Sequence, residues 1–127
     1  MKPNTTSLEW SKELAEAGIV METEFFWCEY TFFNEYGELE TEWRLKNKQQ
    51  QKDEVGLCFQ SPTVTELMEK MPMTIKDKSG LAWCLRIFRG DTGYFAEYHG
   101  HCSSGFHPTP QDALAQLFIY IKKNGLV

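Results

Sequence analysis

The 127 residues, 42% hydrophobic and 24% charged, have the composition of one globular domain long enough to bury a core without metal or disulfide support. A net charge of −5 with no basic cluster excludes a direct nucleic-acid-binding face, and no apolar run approaches the roughly 20 residues of a membrane span. The cysteines, Cys28, Cys58, Cys84 and Cys102, follow an amino terminus with no apolar leader, so reduced thiols in a cytoplasmic protein are expected rather than a secreted disulfide framework.

Thr6 and Glu9 have capping-box spacing, so the first helix is expected to start at Thr6. Trp10, Leu14 and Ala17 form its buried face, widened by Leu8 and Ala15; Gly18 ends it and Ile19 packs back on the end. From Glu24 to Phe33, Phe26, Cys28, Tyr30 and Phe32 alternate with Phe25, Trp27, Glu29, Thr31 and Phe33. Both sides are largely apolar, which predicts a central strand.

Asn34-Glu35-Tyr36-Gly37 turns the chain into a second arm, where Leu39, Thr41, Trp43 and Leu45 alternate with Glu38, Glu40, Glu42, Arg44 and Lys46. Lys46-Asn47-Lys48 reads as a solvated hairpin end and Gln49 to Glu54 as a polar loop. Val55, Leu57 and Phe59 alternate as a short third strand. Thr63 and Glu66 form a second capping box, ahead of the apolar row Val64, Leu67, Met68 and Met71 that Pro72 ends.

Met73 to Lys76 reads as a brief strand. After Gly80, Leu81, Trp83, Leu85 and Ile87 alternate with Ala82, Cys84, Arg86 and Phe88. Arg89 to Gly93 is a hairpin loop, after which Tyr94, Ala96 and Tyr98 alternate with Phe95, Glu97 and His99. A loop from Gly100 to Pro108 leads to the last helix. There Thr109 caps, Pro110 takes the first turn, Ala113, Leu114, Leu117, Phe118 and Ile121 make an apolar row, and Gly125 stops it. The order predicts one α+β domain over residues 1–127, with an antiparallel sheet of four to six strands and three helices packed mainly on one face.

His99, His101, Cys102 and His107 bring imidazoles and a thiol within nine residues, the ordinary ligand types of zinc. Their spacing fits no standard finger or ribbon, and the competing reading is a polar loop before a capped helix. Ser103, Ser104 or Cys102 beside a histidine lacks the strand–elbow–helix setting of an activated nucleophile. Glu38, Glu40 and Glu42 could mimic phosphate spacing, but Arg44 and Lys46 dilute the charge, and a solvated strand face is the simpler reading. Phe25, Trp27, Phe33 and Phe88 are the candidate interaction surface, since a sheet face carrying them is too apolar to leave wet.

Ser11-Lys12-Glu13-Leu14-Ala15-Glu16-Ala17-Gly18-Ile19 before Phe25-Phe26-Trp27, then Ser61 to Glu69, then Thr109 to Leu126 resemble a group of small proteins of bacteriophages, prophages and gut bacteria. That group has no assigned activity, so the resemblance implies a context and no catalytic residues. The expected function is a cytosolic accessory protein of phage or prophage origin. It would act by contact with a protein partner or by self-association, without catalysis or cofactor and without nucleic acid or membrane. The alternative is a zinc-binding protein or metal-dependent enzyme using the histidine cluster.

Overall fold

Capping chemistry sets the helix ends. The computed structural model describes residues 4–54, 56–76, 78–99 and 101–127. Among them, α1 spans Leu8–Glu16 and is capped by Ser7, whose hydroxyl accepts from the Trp10 N–H. Thr6 is not the cap, because its hydroxyl lies 2.7 Å from that of Ser11, while its N–H donates to the Pro62 carbonyl at 3.0 Å. At the other end Gly18 and Ile19 donate to the carbonyls of Ala15 and Leu14, a Schellman closure that folds Ile19 into the core as expected. Leu14 is buried, whereas Ala15 is exposed and Leu8 only partly covered.

β1 (Phe25–Phe33) and β2 (Leu39–Asn47) form the expected hairpin, closed by Asn34, whose side-chain oxygen accepts from the N–H groups of Tyr36 and Glu38. The polar stretch after β2 is not a loop. It holds a short helix, α2 (Lys48–Gln51), with Asn47 and Gln50 as a reciprocal capping box. β3 (Cys58–Gln60) follows, with Val55 outside the described residues. α3 (Val64–Lys70) has the Thr63–Glu66 capping box that its sequence specifies. Then come β4 (Thr74–Lys76), β5 (Ala82–Gly90), β6 (Gly93–Tyr98) and β7 (Cys102–Ser103). The β5–β6 turn is tighter than expected, because Gly90 pairs directly with Gly93. The segment before the last helix adds β7 and a Tyr94–His107 bridge, Gly100 being outside the described residues. α4 (Pro110–Lys123) is capped by Thr109 and closed by Gly125.

The fold is α+β with antiparallel pairing throughout, as expected, and its described strands divide into two sheets, β2-β1-β3 and β4-β5-β6-β7. β1 is central in the first. The helices bridge the two sheets: α1 rests on β3 and α4, and α4 rests on β6, α1 and α3. α4 is therefore an interior helix, not a surface one with a single apolar stripe. Ala115 and Ile119 are buried alongside the expected row of Ala113, Leu114, Leu117, Phe118 and Ile121. Leu14, Leu67, Met71, Ile75, Leu85, Ala96 and Tyr98 complete the core around it. Two polar anchors hold its amino-terminal end: Asp112 Oδ1 accepts from the Ser7 N–H at 2.8 Å, and Gln111 Nε2 donates to the Thr5 carbonyl at 3.2 Å.

Candidate functional site

β3 pairs with β1 only from Phe26 to Cys28, so the rest of the β1–β2 hairpin extends past the third strand as a two-stranded arm. Its distal residues are wet on both faces. Phe33 is 73% exposed, Tyr36 78% and Leu39 65%. Within the arm, Tyr30 stacks on Phe32 with ring centroids 5.8 Å apart, the Arg44 guanidinium lies 3.9 Å from the Tyr30 ring, and the Thr31 and Thr41 hydroxyls meet at 3.2 Å.

The candidate interaction residues do not form one surface. Phe25, Trp27 and Phe33 share one face of β1, but at the base of the hairpin that face turns toward the helices. Trp27 Nε1 donates to the Thr6 carbonyl at 3.0 Å, and Trp43 on the same face lies under the Lys12 ammonium at 4.8 Å. Phe33 is at the free end of the arm, and Phe88 belongs to the other sheet, stacked on Phe95 at 5.0 Å. Phe95 also meets Phe106, which is 57% exposed.

The histidines and Cys102 are likewise dispersed. His99 Nδ1 sits 2.9 Å from the Arg86 guanidinium and 3.5 Å from Glu97. His101 leans on Trp83, with centroids 6.2 Å apart. His107 Nε2 bonds Gln116 Oε1 at 2.7 Å, with its ring edge-on to Trp10. The described residues contain no group of three or more His, Cys, Asp or Glu placed to hold a metal ion. Ser104, a nucleophile candidate, is tied to backbone: its hydroxyl accepts from the Ala96 N–H and donates to the Gly105 carbonyl.

Two recesses flank Phe25. One, of about 710 Å³, has aromatic walls from Trp27 and Trp43. Its one acidic lining residue, Asp112, is already engaged by Ser7. The other, of about 810 Å³, runs beside Tyr94, Val64 and Pro110 and has no carboxylate, imidazole, thiol or amine among its described lining residues. Among their described lining residues, neither recess presents an acid–base pair or a nucleophile beside a base.

The perturbed ionisable groups belong to the packing. Cys28 and Cys58 face each other across β1 and β3 with their sulfurs in direct contact, both as free thiols. Burial, then the bond to Cys58, pushes the Cys28 thiol up to about 12. Burial raises the Tyr98 phenol above its ordinary range, where its hydroxyl donates to the Pro72 carbonyl at 2.7 Å. Burial also raises the Cys102 thiol. Each group keeps its proton to higher pH in the folded chain than in the unfolded one. Its stabilising contribution is therefore fully present below the unfolded value, near 9 for Cys28, and is lost as pH rises toward 12. The expected unfolding free energy is flat around neutrality and falls above pH 9 as Cys28 titrates and above pH 10 as Tyr98 begins to, by up to about 1.4 kcal/mol per pH unit for each of these two groups. Urea titrations of the parent protein, Cys28→Ala and Tyr98→Phe across that range check this. Both variants should fall less steeply, and parallel slopes would contradict the assignment.

No helix of the described residues is long and apolar enough to cross a membrane. Comparison with protein-family models, with curated proteins and with solved structures finds no match, so the geometry of the arm, the recesses and the dispersed histidines is what a functional reading of this chain rests on.

Proposed function

We propose that this is a non-catalytic accessory protein of the phage or prophage type it resembles, acting through protein contacts, with the β1–β2 arm as the contact surface. One observation carries the reading: the distal arm leaves Tyr30, Phe33, Tyr36 and Leu39 exposed on a ribbon with no third strand among the described residues. Two strands alone are marginally stable in water, and large apolar side chains held outside a core mark contact sites.

A photo-crosslinking amino acid placed at Phe33, compared with one at Tyr120 on the exposed side of α4, tests the reading in the source cell. Adducts to polypeptide are expected at Phe33 and not at Tyr120. Equal labelling at both positions, or none at Phe33, overturns it.

A further inference from the structure

We infer that the arm's partner is a second copy of this chain, joined along β2 in a two-fold antiparallel pairing centred on Trp43. This identifies the occupant of the contact surface proposed above and rests on that reading. β2 is an edge strand of nine residues, bonded among the described strands to β1 alone. The Asn34 N–H donates to the Glu38 carbonyl at 2.8 Å, which sets the phase of the ladder. Glu40, Glu42, Arg44 and Lys46 then direct their backbone groups to β1, and Leu39, Thr41, Trp43 and Leu45 direct theirs outward. The Glu29 N–H, donated to Leu57 on the far side of β1, agrees with that phase. Edges of this length are ordinarily shortened, covered, charged or interrupted by proline; β2 contains no proline, and its charges are of both signs.

The side chains say what covers this edge. Its first half is acidic, with Glu40 and Glu42, and its second half basic, with Arg44 and Lys46. Run antiparallel to itself about Trp43, the strand sets Glu42 opposite Arg44 and Glu40 opposite Lys46 on both sides of the axis. Thr41 and Leu45 exchange the outward backbone bonds, and Trp43 meets Trp43. The charged residues fall at the non-hydrogen-bonded positions, where opposed Cα atoms are about 4.5 Å apart and side chains meet closely.

The neighbouring symmetric registers set Glu42 against Glu42 or Arg44 against Arg44 on the axis, so charge favours the register centred on Trp43. In the single chain Arg44 folds back on Glu42, and Lys46 reaches Glu54 at 2.7 Å. A second copy presents the same carboxylate chemistry across the edge. The product is one continuous sheet, ordered β3-β1-β2 and then β2-β1-β3 of the second copy.

Sedimentation velocity on the full chain, from micromolar to submillimolar concentration, tests the pairing. The expected species has twice the 14.8 kDa monomer mass. The double variants E40K/E42K and R44E/K46E should each sediment as monomers, and an equimolar mixture of the two should recover the dimer. Thr41→Pro removes an outward donor without touching the β1 ladder and should weaken association about tenfold or more.

A monomeric parent protein across the range, charge-reversed variants that dimerise alone as well as the parent, or a mixture that stays monomeric each overturns the inference. Phe33 adducts to a different polypeptide with a monomeric parent sink the self-pairing and leave the arm as a contact surface. The absence of any Phe33 adduct removes the distal arm as a contact surface, and a monomeric parent removes the self-pairing.

Discussion

Leu117→Ala is expected to lower the unfolding free energy by about 2–5 kcal/mol. Leu117 is completely buried on the helix that β6 and two other helices share. The loss combines the transfer free energy of the deleted carbons with the cavity they leave. The surroundings can collapse only partly, since α4 is held by β6 on one side and by α1 and α3 on others. A domain of this size has about 5–15 kcal/mol of net stability, so the variant should show a large drop in denaturant midpoint with an unchanged slope. Lys123→Ala, at the exposed end of the same helix, should stay within about 0.5 kcal/mol. If Leu117→Ala cost as little as Lys123→Ala, α4 would not be the centre of the core.

Gly93→Ala should cost at least about 2 kcal/mol, through backbone and not through lost burial. Gly93 has a φ of +136°, and a Cβ built there lies 2.5 Å from the His107 carbonyl oxygen. That oxygen accepts from the Tyr94 N–H at 2.7 Å, and the His107 N–H returns the bond at 2.8 Å. The substitution therefore strains the β5–β6 turn and pushes apart the bridge that leads the chain into α4. Gly18 is the control, because it also has positive φ, +74°, but open space where a Cβ would stand. Gly18→Ala should carry only the conformational penalty of about 1–2 kcal/mol. Equilibrium denaturation separates the two. The imidazole resonances of His107, whose ring lies 5.2 Å from that of Trp10, should move in Gly93→Ala and not in Gly18→Ala.

The elements that could be read in advance share a property with those that could not. The Thr63–Glu66 box, the Gly18–Ile19 closure, the Thr109 cap and the Asn34 turn each depend on groups a few residues apart. The α2 box of Asn47 and Gln50 had the same signal, but it was hidden in a run that looked merely polar. Thr6 misled for the opposite reason. It sits at capping-box distance from Glu9, yet a hydroxyl on Ser11 and a carbonyl on Pro62 claim it. At the histidine cluster, closeness along the chain suggested closeness in space. β6, β7 and the bridge to Tyr94 instead send successive side chains to Arg86, Trp83 and Gln116. The charge order of β2 was visible throughout, but it reads as a pairing code only once β2 is known to be an edge.

By itself the sequence determined where α3 and α4 start, where α1 stops, which strand residues share a face, and that β1 carries apolar groups on both sides. Those features follow from local hydrogen bonding and from the periods of helix and strand. Tertiary structure alone decided that the strands divide into two sheets, that α4 is interior, that the histidines separate and that the hairpin outruns β3. Each depends on partners far apart in the chain, such as Ser7 with Asp112, Cys28 with Cys58 and Tyr94 with His107. Local propensity carries no information about which distant segment arrives to make those contacts.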